Sequence, residues 1–360
     1  MTRHGASQPA PGGLLGPHAD ARDPIRIGFQ VWGQHVSWAD LMATGARMEA
    51  LGFSSLFAND HFMPVLGGSE GTMVGPDGPV FEAWMTVAGW AARTDRIALG
   101  VLVCGVGYRN VGLTVKMATT LRHASVGWVL LGLGAGWHEP EHRAFGYGFP
   151  SLGDRISRLD DAGRVVRRLL DGERVTFHGD WVTVDGLRND PPAVSRLPLL
   201  IGGSGEQRTL RIVARDADIW NGEGDPETFA HKNAVLDRHC AEIGRDPATI
   251  RRTVGVPPIC IRDDRSGAVA ALAATLLHHG VDAAVARAWA ERSPLADTAD
   301  VVGAHLRAWR AAGAEEAIAD WPAPSDDETL ERLVAMQSEA WGSSRVSPSL
   351  PAANREGRGL

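Results

Sequence analysis

Short apolar runs that break off into glycine, asparagine or aspartate, each followed by a helical stretch, recur along this 360-residue chain and limit what it can become. The runs are Ile25–Val31, Ser54–Ala58, Ile97–Cys104, Trp128–Leu133, Leu197–Ile201, Ala217–Trp220, Thr253–Ile261 and Glu316–Ala319. The stretches between them read as helices: Ser37 to about Ala50, Val80–Arg93, Gly112–His123, Asp154–Leu170, Glu206–Arg215, Pro226–Ile243, Thr298–Ala312 and a last one over Asp326–Glu339. Runs that are apolar throughout, rather than alternating, are buried on both faces, as parallel strands covered by helices are. Eight such units predict an α/β fold, a closed (β/α)8 TIM barrel, with an open doubly wound sheet as the alternative.

Residues 25–342 are therefore read as a single barrel domain, with insertions in the loops after strands four and seven. The first comprises loop 134–152 and a small hairpin over Val175–Val184 that turns at Gly179-Asp180. The second, 264–296, reads as two extra helices expected to cover part of the barrel mouth or rim. Residues 1–24, rich in Gly, Pro and Ala, and residues 343–360 are expected to be disordered tails.

Charge and cysteine usage exclude several functions. A net charge of −7 does not provide the basic field that nucleic acid requires, so any anionic ligand must be held by local amides and single arginines. No apolar run reaches the roughly 18 residues of a membrane span, and the N-terminal stretch lacks a signal-peptide core. Cys104, Cys240 and Cys260 have neither disulfide pairing nor metal spacing, so the expected setting is a reducing cytoplasm.

In a parallel barrel the functional groups stand at the C-terminal ends of the strands, so the strand exits are the candidate site. The fourth exit, Leu130 to His142, carries Gly132, Gly134 and Gly136 on alternate positions. This is not the dinucleotide fingerprint, which needs a different glycine spacing early in a βαβ unit. Glycines at a strand end instead admit a flat ring or a close backbone. Gly202-Gly203-Ser204-Gly205 leaves strand five and opens a helix, so its free amides suit a phosphate, with Arg208 and Arg211 nearby to add charge. Asp60-His61 ends strand two, and histidine is the side chain most readily poised for proton transfer near neutral pH. His138, Glu139, Glu141 and His142 have a spacing that invites a metal, but Pro140 argues against the helix that would align them, so no metal is assigned. That charged loop is expected to be solvated, with Glu139 or His138 turned to the site.

The set Asn59-Asp60-His61-Phe62, Leu99 to Val103 with Tyr108-Arg109-Asn110, Lys116 to Leu121, Leu131 to Arg143, Val175 to Gly179 and Ile201 to Gly205, in this order, resembles the luciferase-like monooxygenase superfamily. Within it the chain is most similar to the oxidoreductases dependent on the deazaflavin coenzyme F420. The resemblance implies a flat cofactor lying across the strand C-termini, with Asp60 in contact with it and His61 as proton donor or acceptor. It places a bulge at Leu102, Val103, Cys104 and Gly105 behind the ring, in some members with a non-prolyl cis peptide. Gly134, Ala135, Gly136 and Trp137 would line the ring or ribityl chain. Gly202, Gly203, Ser204 and Gly205 would hold the phosphate, with Asn221 and Gly222 close by. A homodimer is implied in the same way.

The chain departs from the family pattern before strand four, at Arg122 and Ser125-Val126-Gly127-Trp128, and at two places in the strand exits. Cys104-Gly105 stands where Thr-Pro is usual, and Trp137 replaces the glutamate of the sugar-phosphate dehydrogenases, which argues against that substrate class. The expected activity is hydride transfer between F420 and a small organic substrate. The alternatives are an FMN-dependent monooxygenase on the same scaffold and a non-catalytic flavin or deazaflavin binder.

Overall fold

The computed structural model describes residues 23–68 and 71–341. The two expected tails fall outside the described residues, apart from Asp23 and Pro24. Eight parallel strands close into a barrel: β1 (Arg26–Val31), β2 (Ser55–Ala58), β3 (Ala98–Gly105), β4 (Val129–Gly134), β5 (Leu199–Gly202), β6 (Ile219–Gly222), β7 (Arg251–Val256) and β8 (Glu316–Trp321). Each strand pairs with its sequence neighbours and β8 pairs with β1, so the open-sheet alternative is excluded. The helices are α1 (Trp38–Ala50), α2 (Ala83–Ala91), α3 (Val111–Ala124), α4 (Glu139–Ala144), α5 (Leu152–Leu170), α6 (Thr209–Asp216), α7 (Pro226–Glu242), α8 (Arg265–His278), α9 (Ala283–Arg292), α10 (Ala299–Ala311) and α11 (Asp327–Trp341).

Several boundaries differ from the sequence reading, each for a physical reason. β6 starts at Ile219 because the Ala217 amide still caps α6, bonding to the Val213 carbonyl. β7 stops at Val256, since Pro257 and Pro258 have no N–H to donate to a ladder. Cys260–Ile261 pairs instead with Ala296–Asp297 at the far end of the insertion. α2 begins late because Glu82 is its N-cap, accepting from the Met85 amide at 2.7 Å. β8 runs two residues further than expected, which brings Asp320 into the strand.

The loop after β4 is a correction. It contains α4, whose Pro140 lies in the first turn, where no intrahelical N–H is required. The proline starts this helix rather than breaking it.

The core has two layers. Phe57, Ala98, Leu102, Leu130, Leu200, Ile219 and Ile318 fill the inside of the barrel. A larger shell lies between strands and helices, with Phe29, Trp90, Trp220 and Trp321 almost fully buried. The insertion builds a third cluster. Leu272, Leu276 and Ala286 from α8 and α9 pack on Trp32 after β1 and on Leu66 and Val74 after β2. α8 and α9 therefore form a wall on the C-terminal rim, over the exits of β1 and β2.

Candidate active site

α4 turns two neighbouring residues inward. Glu141 and His142 are buried, at 0% and 1% exposure, while Glu139 stays at the surface in an ion pair with Arg143. The expectation of a solvated loop fails here, because one short turn sends alternate carboxylates in opposite directions. His138 is also buried. The four titratable residues of this stretch thus do not converge on a common point.

Glu141 is the centre of a donor cage. One carboxylate oxygen accepts the Tyr108 hydroxyl at 2.6 Å and lies 3.1 Å from Nδ1 of His61. The other accepts the Phe62 amide and the Met63 amide, the latter at 3.2 Å. Burial opposes its ionisation, yet the bonds from His61, Tyr108 and the Phe62 amide outweigh burial and hold the carboxyl below the usual range. Burial and the Glu141 charge together push the Tyr108 hydroxyl up, so it stays a donor. With an ionised Glu141 as acceptor, His61 carries its proton on Nδ1, which leaves Nε2 available. The edge of Trp137 lies against His61, ring centres 5.6 Å apart.

Asp60 has a different task. Arg109 forks onto it at 2.7 and 2.9 Å, and the Gly105 amide donates at 3.2 Å. Arg109 also reaches Glu82 at 2.7 Å. Desolvation alone would lower the Arg109 pKa, but the Asp60 carboxylate raises it on balance. The Asp60 side chain is fully buried, and both its oxygens are occupied by protein donors. Asp60 therefore fastens the exit of β3 to the exit of β2, one residue before His61. Cys104 belongs to the same strut: it is buried, accepts from Arg109 at 3.4 Å, and burial keeps its thiol protonated.

Val103 sets the space at Gly134 and Gly202. The Leu102–Val103 peptide is cis, and the register between β3 and β4 shifts between Val101 and Cys104. The valine side chain then lies over β4 and β5. A Cβ on Gly134 would collide with its Cγ2 and one on Gly202 would sit 3.0 Å from its Cγ1, whereas one on Gly132 would first collide with the Val101 carbonyl oxygen. Valine is stiff about χ1 and cannot swing aside. Gly134→Ala is thus expected to cost about 1–3 kcal/mol in urea unfolding. Adding Val103→Ala should recover much of that loss; a double variant no more stable than Gly134→Ala would refute this packing account.

The remaining predicted residues divide by exposure. Ala135, Gly136, Trp137, Gly202, Gly203 and Ser204 are half-buried on one side of the mouth, and His61 shows 17% of its side chain. Gly203 has φ +126, a conformation suited to glycine, and its amide and carbonyl bond to the Asn221 carbonyl and the Trp220 indole. Ser204 accepts from the Glu223 amide at 3.3 Å. Gly205 lies against Thr209 and Gly222 against Trp220, so both serve packing. Asn221 is buried and accepts from Thr253 at 2.9 Å. Arg208 does not face an anion site, because its guanidinium ties α6 to Gly153 and Ser157 of α5.

Sequence reasoning singles out none of Glu141, Tyr108 and Arg109 as partners of His61 and Asp60. The available signal was topological: Asp60 and Arg109 both lie at strand exits, and β2 and β3 are neighbours.

The fold and its mouth define a (β/α)8 barrel with a hydrogen-bonded histidine–carboxylate pair at the C-terminal face. The model of the luciferase-like monooxygenase family matches residues 21–337, and the chain belongs to that family. It is 30% identical over 227 residues to an F420-dependent glucose-6-phosphate dehydrogenase of Microbacterium testaceum, covering 62% of this chain and 64% of that one. It is also 30% identical over 233 residues to an F420-dependent hydroxymycolic acid dehydrogenase of Mycobacterium tuberculosis, covering 64% and 61%. The chain thus spans less than two thirds of the length of these relatives. An F420-dependent secondary alcohol dehydrogenase, solved in complex with an F420-acetone adduct, shares the fold with a TM-score of 0.71, at 19% identity, over 87% of this chain and 98% of that one.

Proposed function

We propose that this chain is an F420-dependent oxidoreductase that moves a hydride between the deazaflavin and a small organic substrate, with His61 handling the accompanying proton. The observation that carries the reading is the His61–Glu141 pair, in which Nδ1 is held at 3.1 Å and Nε2 is left for exchange. When bound, the deazaflavin supplies a ring carbon that accepts or releases hydride. Val103, half-buried at the inner edge of the mouth, would back the ring, flanked by Gly134 to Trp137. The Ser204 hydroxyl, which accepts from the Glu223 amide and keeps its own proton to donate, would take the phosphate beside Gly202, where a side chain would crowd Val103. Asn59, beside Asp60, keeps a buried carboxamide oxygen without a protein donor among the described residues, a place for a ligand N–H. The F420-dependent activities named for the relatives support the same choice of cofactor.

Titration of the purified protein with F420 and with FMN, followed by fluorescence, tests the reading. Saturable quenching by F420 is expected. Tight FMN binding without F420 binding would overturn it in favour of the monooxygenase. The homodimer rests on the resemblance, and sedimentation equilibrium at monomer mass would refute it.

A further inference from the structure

β8 points a carboxylic acid into the barrel mouth. Ile318 packs inside the barrel, so Asp320, two residues on, projects from the same inner face one step nearer the rim. The register sets it beside Gln30 of β1, whose carboxamide donates to the Leu102 carbonyl just ahead of Val103. Asp320 is half-buried and lies across the barrel from β4 and β5, whose glycines flank the proposed ring position. The substrate must then occupy the side of the mouth bounded by His61 and Asp320.

The surroundings of Asp320 decide its protonation. Burial pushes its carboxyl up to about 7; Glu223 at the exit of β6 adds to this, while a hydrogen bond from Trp32 and the charge of His61 work against it. Behind Trp32 stands buried His279 of the insertion, ring centres 5.2 Å apart. Burial, with His278 and His35 adding to it, pushes the His279 imidazole down to about 4. His279 is therefore neutral near pH 7 and offers no compensating positive charge.

Building on the F420 reading, we propose that Asp320 is a substrate-positioning group that hydrogen-bonds the oxygen of an uncharged hydroxyl- or carbonyl-bearing substrate opposite His61. The same carboxyl, with Glu223, disfavours substrates carrying phosphate or carboxylate. A protonated carboxyl donates to such an oxygen, whereas an anion placed there would meet the Glu223 charge and, as the Asp320 carboxyl ionises, a second like charge. Trp137, edge-on to His61, adds an apolar wall that suits an uncharged ligand.

The test uses the full chain, with infrared difference spectroscopy of the carboxyl band between pH 5 and 9. Cyclohexanol and cyclohexanone serve as uncharged probes, and glucose 6-phosphate and 3-hydroxybutyrate as anionic ones. Wild type should lose a protonated-carboxyl band with a midpoint near 7. Uncharged probes should move that midpoint upward and anionic probes should not bind. Asp320→Asn should lack both the band and its response. With oxidised F420 and cyclohexanol, Asp320→Ala should raise KM about tenfold, the loss of one hydrogen bond, with F420 affinity unchanged. A band that persists in Asp320→Asn, silence towards both uncharged probes, or preference for the anionic probes would overturn the inference. Failure of wild type to bind F420, with the band and its probe response intact, would overturn the functional reading alone.

Discussion

Replacing His61 by alanine is expected to lower kcat by about 10²–10⁴-fold, the usual worth of a positioned general acid or base. F420 affinity should stay within roughly threefold, a change below 1 kcal/mol. The split follows from geometry. His61 shows 17% of its side chain, enough to meet a substrate, while the proposed ring support comes from Val103 and from the backbone of β4 and β5. Pre-steady-state measurement of F420 reduction, beside fluorescence titration, separates the two quantities. Turnover unchanged in His61→Ala would remove the histidine from the mechanism, and an equal loss of turnover and affinity would assign it to cofactor binding.

Glu141→Ala should have the largest effect on stability of any single change at the site. It strands the Tyr108 hydroxyl, the Phe62 and Met63 amides and the His61 imidazole in a buried place, and a loss of about 3–5 kcal/mol is expected. Glu141→Gln keeps the volume and separates the two roles. It should fold with a smaller loss, about 1–3 kcal/mol, yet lower kcat by about tenfold or more, because a neutral partner no longer fixes the proton on Nδ1. The pH dependence gives an independent check. The Glu141 carboxyl is held below its ordinary 4.5, so its contribution to stability is present above that value and fades as pH falls through the lowered one. Wild type and Glu141→Gln should therefore converge in stability in acid and diverge above pH 5. A constant gap across pH would show that Glu141 acts through shape alone.

Much of the barrel was legible from pattern. Unbroken apolar runs at helix-length spacing are enough to call for parallel strands with helices outside, and all eight appear. The errors lay at strand ends and loops. β8 was read two residues short, and those residues carry Asp320 to the rim. The β4 glycines also answer to contacts that only strand pairing creates: Gly134 makes room for the Val103 side chain and Gly132 for the Val101 carbonyl of the neighbouring strand. The stretch after β4 was read as a solvated loop, because Pro140 was treated as a helix breaker rather than as a first-turn residue.

Sequence alone determined the repeat of strand and helix, the membership of Asp60-His61 in a strand exit, and the exclusion of a basic nucleic-acid surface. These follow from local pattern and total charge, which need no knowledge of neighbours. The partner of each side chain was a matter for tertiary structure. Glu141 lies 80 residues from His61, and Arg109 lies 49 from Asp60. Closure of the barrel sets their strand exits side by side, and burial at that junction turns ordinary carboxylates into one that fixes a histidine and one that locks a strand. The raised pKa of Asp320 was likewise invisible in the chain, because it arises from burial on the strand's inner face and from the Glu223 charge at another exit, which together outweigh the Trp32 hydrogen bond and the His61 charge.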